Sequence, residues 1–319
     1  MRLLILSSIL LGMLFSNTVF AQDAAQKAAH EAAINSQIVV DAYSKTVTPS
    51  GSLFRDKEFE TSSEQWFNGD LEVAKIVFAS SPLNESSFSW LGRRHGFMGN
   101  YAKSIEVFTE GLEHFPNSYS LYRYRGYHLV RNYQFEEGIT DLRHAEKLME
   151  NIDVTASQDG MPGKSNFSPS TYKRNIFYYL AQSSMATGDY STVIEYMDKA
   201  METNQLRDKD DFLVSTAFYK YMALRKLGQH EDAEELIKDI PRGLDIYENF
   251  TYHEAIKFLQ GHYTRDQYLK NSDSLGKYTI AMIDNFNDET EAAKALWTEV
   301  TNNNHKGYWL AEVELLNLK

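Results

Sequence analysis

The 319-residue chain contains no cysteine, only six prolines and few glycine-rich turns. Without cysteine there is no disulfide framework, which a secreted eukaryotic chain of this size would usually carry. Scarce proline and few turn clusters suit a helical protein better than a sandwich or barrel. Positive charge is also in short supply, with 32 Lys and Arg against 44 Asp and Glu for a formal charge of −12. Such a chain is a poor nucleic-acid binder and is repelled by anionic lipid. After the first 20 or so residues, no segment of the sequence is apolar enough to cross a bilayer.

What is present begins with a targeting signal. MRLLILSSILLGMLFSNTVFAQ has one basic residue, Arg2, then an apolar run from Leu3 to about Phe15 and a polar stretch closing on Val19-Phe20-Ala21. Small residues at −3 and −1 place the expected cleavage between Ala21 and Gln22. The alternative, an uncleaved anchor, is disfavoured because the apolar core is shorter than the roughly 20 residues a span needs. No cysteine follows the run, so bacterial lipid attachment is excluded. The expectation is a bacterial periplasmic or secreted protein with no membrane insertion after cleavage and a mature charge of −13, since the loss of Arg2 leaves 31 basic residues against 44 acidic.

The body of the chain repeats. From Leu91-Gly92, offsets of 8, 10, 13, 17, 20 and 25 reach Gly99, Tyr101, Ser104, Phe108, Gly111 and Pro116. From Arg125-Gly126 the series reaches Tyr133, Phe135, Gly138, Leu142 and Ala145. From Leu180-Ala181 it reaches Gly188, Tyr190, Val193, Met197 and Ala200, and from Lys220-Tyr221 it reaches Gly228, His230, Ala233, Ile237 and Ile240. A weaker fifth unit starts at Thr279-Ile280 and runs through Asn287, Ala292 and Leu296. Gly69, Leu71, Ala74, Phe78 and Ser81 suit the second half of a preceding unit. Each unit reads as two antiparallel helices joined at a Gly-x-aromatic turn. Glycine supplies the turn conformation, small residues allow close helix approach, and a proline such as Pro116 ends the second helix.

This pattern resembles the tetratricopeptide repeat, whose units are 34 residues long. The Leu91 and Arg125 units are 34 apart, and the later gaps of 55, 40 and 59 imply insertions. The resemblance covers roughly residues 55–319. It implies an all-α fold: a right-handed α-α superhelix of about five helix pairs with a C-terminal capping helix. Units fall near 85–118, 119–150, 174–207, 214–242 and 273–304, after a signal peptide (1–21) and an N-terminal helical or flexible segment (22–50). An insertion at 151–171 interrupts the array, and GYWLAEVELLNLK at 307–319 reads as the cap, with Trp309, Leu310, Val313 and Leu316 at helical spacing. The Gly92-Arg93-Arg94 step, the Asp159-Gly160-Met161-Pro162 insertion and this tail are also similar to periplasmic bacterial tetratricopeptide proteins. That group is marked by its repeats more than by an assigned activity.

Motifs that carry chemistry fail on inspection. Gly163-Lys164-Ser165 lacks the phosphate-loop glycine, having Gln158 in its place, and His253-Glu254 has Lys257 where a zinc-protease helix needs its second histidine. No Gly-x-Ser-x-Gly occurs, and the nine histidines are scattered. The expectation is no catalytic residue, no metal and no cofactor. In the resembled family the first helix of each unit lines the concave face. Counting along these helices gives Ser89, Arg93, Phe97, Arg123, Tyr127, Arg131, Tyr178, Gln182, Phe218, Met222 and Arg225. Of these, Arg93, Phe97, Arg123, Tyr127, Arg131, Tyr178, Gln182 and Arg225 form the candidate ligand groove. Arg93, Arg94, Arg123, Arg125 and Arg131 cluster with Tyr122, Tyr124 and Tyr127 in an otherwise acidic chain. Arg forks bind carboxylates in bidentate fashion and Tyr adds rigid contact area. One reading is a scaffold that binds a protein or peptide partner with acidic or carboxylate features. The other reading of the arginines is salt bridging to Glu85, Glu106, Glu113, Glu136 or Glu137, with Arg125 structural. Two further classes stay open, a cell-wall glycan binder and an enzyme with a site formed by the 151–171 insertion. The sequence leaves the oligomeric state open.

Overall fold

The computed structural model describes residues 61–153, 170–203, 209–302 and 308–318. The expected signal peptide, the 22–50 segment and nearly all of the 151–171 insertion lie outside the described residues, as does the Gly163-Lys164-Ser165 step. Among the described residues every element is a helix. They are α1 (Thr61–Ser80), α2 (Glu85–Phe97), α3 (Tyr101–His114), α4 (Tyr119–Arg131), α5 (Phe135–Leu148), α6 (Tyr172–Thr187), α7 (Tyr190–Glu202), α8 (Lys209–Lys226), α9 (His230–Lys238), α10 (Phe250–Leu259), α11 (Arg265–Leu269), α12 (Ser274–Phe286), α13 (Thr290–Asn302) and α14 (Trp309–Asn317). Consecutive helices pack on one another from α1 to α9 and from α11 to α14, α10 packs on α8 and α12, and the first helices α2, α4, α6 and α8 also touch one another in succession. The result is the expected solenoid of helix hairpins, with those first helices forming one continuous row. None of the described helices is long and apolar enough to cross a membrane.

The repeat positions explain the stacking. The residue seventeen places into each unit sits in the middle of the second helix and is at most 1 % exposed at Phe108, Leu142, Met197 and Ile237. Four places earlier stand Ser104, Val193 and Ala233, also fully buried, which leaves room for the paired helix. Closest approach is between α4 and α5. A Cβ on Gly126 would fall 2.9 Å from the Gly138 carbonyl oxygen, and one on Gly138 2.8 Å from that of Gly126. Only glycine fits at such a backbone crossing.

The turns repeat as faithfully. Gly99, Tyr133, Gly188, Gly228 and Asp288 all have φ between 63° and 80°. In each hairpin the next residue donates its N–H to a carbonyl five positions back: Asn100 to His95, Gln134 to Leu129, Asp189 to Ser184, Gln229 to Leu224 and Glu289 to Asp284, at 2.9–3.0 Å. This is the left-handed helix stop that satisfies orphan carbonyls. The second helix then starts at once, on Tyr101, Phe135, Tyr190, His230 and Thr290. The far ends of the first helices instead use side-chain caps: Asn84 accepts from Ser86 N–H, Ser118 from Leu121 N–H, Thr171 from Arg174 N–H and Asp273 from Gly276 N–H.

Three differences from the sequence reading follow. First, the fifth unit is one residue out of register: its turn residue is Asp288, not Asn287, and the fully buried series is Ala293, Trp297 and Val300, with Ala292 only half-buried and Leu296 at the margin of the core. Trp297 stands where Phe108 stands in the first unit. Second, the 59-residue gap holds a further short hairpin, α10–α11, which turns at Gly261 (φ 78°) with His262 N–H donating to Lys257 O at 3.0 Å. Its Gly261-His262-Tyr263 step is the same signature as Gly99-Asn100-Tyr101. Third, α14 does more than cover α13. Tyr308, at its N-cap, reaches Tyr219 of α8 with hydroxyls 2.7 Å apart, Glu314 pairs with Lys226 at 2.7 Å, and Trp309 lies 6.0 Å from the Phe135 ring. The tail therefore runs back along the row of first helices as far as the second unit.

Arg125 is the structural member of the arginine cluster. It occupies an apolar repeat position and donates to both Asp141 oxygens at 2.6 and 2.9 Å, with a further bond to Thr109 on α3. It knits the first two units together. Its partner is an aspartate on α5 rather than any of the five glutamates proposed from sequence. Arg94 likewise pairs with Asp70 of α1 at 3.3 Å.

The turns give a paired prediction. Asp288 is exposed and left-handed, so Asp288→Gly should raise stability by about 0.5–1 kcal/mol. Gly188→Ala meets no neighbouring atom within 4 Å, so its cost is conformational only, about 1–2 kcal/mol. Urea midpoints of the two variants should move in opposite directions; movement in the same direction would refute the turn assignment.

Candidate functional site

The row of first helices opens onto one cavity of about 640 Å³. Its wall takes Arg93, Gly96 and Phe97 from α2, Arg123, Tyr124, Tyr127, His128 and Arg131 from α4, and Arg174, Asn175, Tyr178 and Tyr179 from α6. Tyr101 closes one side, and Asp211, Phe212, Ser215 and residues 247–249 close the far end. The contributing residues recur at four-residue spacing, as in Arg93/Phe97, Arg123/Tyr127/Arg131 and Arg174/Tyr178. One helix face is therefore presented three times in parallel.

Aromatic rings orient the cations. The Arg123 guanidinium lies 4.4 Å over Tyr124 and 4.8 Å over Tyr179, Arg93 lies 4.8 Å over the same Tyr124 ring, and Arg174 lies 4.0 Å over Phe212. Tyr127 and Tyr179 pack with centroids 4.3 Å apart. Stacking engages the face of a guanidinium and fixes its plane, while hydrogen bonding to an anion uses its edge. With Arg131, whose guanidinium lies 5.6 Å over Tyr101, four arginines face Asp211 and Glu248 in the lining and make a locally electropositive pocket in a chain of net charge −12.

Asp211 at the far wall has a different task. One of its oxygens accepts from the backbone N–H of Tyr247, Glu248 and Asn249 at 2.9, 2.9 and 3.1 Å, and the other accepts from Asn249 Nδ2 at 2.8 Å. This buried carboxylate holds the segment that leads into α10 and fixes the loop that closes the cavity.

His128, also in the wall, is neutral. Ser104 Oγ donates to the Gly92 carbonyl at 2.6 Å and lies 3.1 Å from His128 Nδ1, so the hydroxyl accepts from a ring that carries its proton on Nδ1. Burial, reinforced by Arg123, pushes the His128 pKa down to about 3. Gly96 is glycine because a Cβ there would collide with the imidazole. Buried His95 is likewise pushed down to about 3, by desolvation and then by Lys103 and Lys75.

Six of the eight candidate residues share the cavity: Arg93, Phe97, Arg123, Tyr127, Arg131 and Tyr178. Gln182 and Arg225 do not. Gln182 donates to the Tyr219 hydroxyl at 3.0 Å, beneath Tyr308, and Arg225 turns toward Tyr221 and Glu234. Phe218 and Met222 are core. For Gln182 the cause is α14, whose N-cap Tyr308 meets Tyr219 above it; for Arg225 it is the pull of Tyr221 and Glu234. Arg174 was missed from sequence, although it stands four residues before Tyr178 and continues the same face. Another hollow, of about 830 Å³, lies between α9 and α10, but only that hairpin and its connection line it, and exposed acids such as Glu231 and Glu235 dominate it. No group of His, Asp and Glu among the described residues is placed to hold a metal ion.

No family model matches the chain. It is similar to RNA polymerase-associated protein CTR9 of Saccharomyces cerevisiae, with 24% identity over 324 residues that cover 89% of this chain and 29% of that protein. The chain thus spans less than a third of that relative's length. Among solved structures it is similar to YrrB, a TPR protein with an unusual peptide-binding site, with 12% identity over 76% of this chain and 96% of that one at a TM-score of 0.41. It is also similar to BtubC from P. vanneervenii, with 13% identity over 77% of this chain and 91% of that one at a TM-score of 0.43. Likeness at this level transfers no ligand. The tetratricopeptide-like character of the chain rests on its own hairpins, turns and buried repeat positions.

Two predictions follow from the buried groups. Asp211→Ala should cost about 3 kcal/mol in urea denaturation, because three backbone donors lose a charged acceptor, and Asp211→Asn should cost less. The histidines bind a proton in the unfolded chain below about pH 6.5 but not in the folded chain until about pH 3. Their contribution to stability is therefore complete above pH 6.5 and is lost as the pH falls toward 3, by up to about 1.4 kcal/mol per pH unit for each. His95→Phe should flatten the pH dependence between 6 and 4; an unchanged slope would show that His95 is protonated in the folded state.

Proposed function

We propose that this chain is a non-catalytic periplasmic scaffold that binds a protein or peptide partner in its concave cavity, through carboxylates on that partner. The carrying observation is the convergence of Arg93, Arg123, Arg131 and Arg174 with Tyr127, Tyr178 and Tyr179 on the inner row of helices. Planar cations stacked on rings hold fixed directions, so an acidic side chain or terminal carboxylate meets a prearranged site rather than flexible lysines. The rigid hairpin stack beneath keeps the ordering cost of binding low. What supports the periplasmic part of this reading is the sequence alone: one basic residue, an apolar run and a small-residue step at Val19-Phe20-Ala21, in a chain without cysteine.

The test is affinity capture from envelope extract with residues 22–319, beside a twin carrying Arg93→Glu and Arg123→Glu that is matched for helicity. The expected result is a partner held by the first bait and lost by the second. That partner should also elute from the first bait as salt is raised, because the contact is charge-assisted. The same partners on both baits would rule out the arginine cavity as the site.

A further inference from the structure

Of the described hairpin stack, one end is sealed and the other is not. At the C-terminal end α14 packs on the last hairpin and buries Trp309, Leu310, Ala311 and Val313. At the N-terminal end stands α1, which turns Leu71, Ala74 and Phe78 toward α2 and the Phe88 cluster. Its opposite face is apolar and open. Val73, Ile76 and Val77 are 53, 56 and 40 % exposed, and Leu83, just past the helix, is 71 % exposed. With exposed Gly69 and Ser80 they form one stripe along α1 at spacings of three and four. A Cβ on Gly69 would meet no atom within 4 Å. Other large exposed apolar side chains among the described residues, such as Leu227, Phe250 and Leu318, fall in separate elements. A contiguous apolar patch marks an interface where scattered residues do not.

Three features of the stripe select its occupant. Val73, Ile76 and Val77 are β-branched, and in a helix such side chains keep one rotamer, so the face is ordered before it is covered. The acids beside the stripe are compensated within the chain: Asp70 pairs with Arg94 at 3.3 Å and Glu72 with Lys75 at 2.6 Å. Copies of a chain with net charge −12 repel one another over most of their surface, but not here. The order of sizes also reads the same in both directions: Gly69, Val73, Ile76, Ser80. In an antiparallel pair Gly69 lies opposite Ser80 and Val73 opposite Ile76, so the small ends let the two helices close on the branched residues between them.

We propose that α1 is the contact of a two-fold dimer in which two copies of this chain pack antiparallel along the stripe. The other end of the stack is sealed, so head-to-tail growth has no complementary face and assembly closes at two copies. The dimer does not rest on the reading of the arginine cavity. It does pair two such cavities, each walled from α2 onward with only α1 between that helix and the symmetry axis. On the reading given above for the cavity, a partner with two acidic segments then gains avidity.

Sedimentation equilibrium on residues 22–319 should show a reversible monomer–dimer equilibrium in the micromolar range, as suits a contact of one helix pair. Ile76→Asp should weaken it at least about 100-fold. The same substitution should leave the urea midpoint of the monomer unchanged, because the side chain is exposed there. A chain without cysteine also allows the register to be tested by oxidation. A mixture of Gly69→Cys and Ser80→Cys chains should form a disulfide-linked dimer. Neither chain alone should do so, because its two thiols would stand about eleven residues of helix apart, roughly 16 Å. The proposal is overturned if the chain is monomeric throughout the micromolar range or if Ile76→Asp leaves association intact. It is equally overturned if Ile76→Asp lowers the monomer's urea midpoint, which would show the stripe covered by the chain's own residues 22–60, or if the mixture cross-links no better than either chain alone.

Discussion

Everything in this molecule depends on how a helix is made to stop. Six times among the described residues, a residue in the left-handed region ends the first helix of a hairpin and hands its neighbour's N–H back to a carbonyl five residues earlier. That single bond fixes the reversal, and with it the distance and rotation of the second helix. Because the reversal is the same in each unit, the first helices fall into register and present the same face again and again. A cavity built from four-residue spacings on three parallel helices is possible only because those helices start and stop in phase.

The inner row is used twice. Over α2, α4 and α6 it opens onto the basic cavity, and over α8 it is closed by the chain's own C-terminal helix, whose Trp309 reaches back to Arg131 and Phe135. The two halves differ in what holds them. The open half orients arginines by stacking them on rings, so the cations line the cavity wall, Arg123 and Arg174 buried and Arg93 and Arg131 half-buried. The closed half is held by an ion pair, a hydroxyl chain and a tryptophan. An acidic protein thus keeps a concentrated positive region inside a concave wall, where its net negative charge does not blur it.

Much of this was legible in the sequence because the repeat is local. Gly99, Gly188 and Gly228 announce their turns, and the buried positions lie at fixed distances from them. The fifth unit was read one residue early because Asp288, not glycine, takes the left-handed turn, so nothing in the residue types marked the register. The α10–α11 hairpin did carry its Gly261-His262-Tyr263 signal, but its second helix is only five residues long and offers no buried series to match. Six groove residues were found by counting along helices. Gln182 and Arg225 were misplaced because what covers or redirects them comes from far along the chain: Tyr308 lies above Gln182 through Tyr219, and Glu234 draws Arg225 aside. Periodicity reports the face a residue occupies, not what later folds over it.

The grip of Asp211 on the segment leading into α10 has a bearing on how the cavity can change over time. At residues 247 and 248 that grip is taken on backbone N–H groups, which every residue but proline possesses. Any other substitution there keeps those two bonds, whereas Asn249, whose side chain also bonds Asp211, is tied to its identity. Of the three residues it positions, the anchor thus constrains one side chain and leaves the other two to be selected by what else they touch.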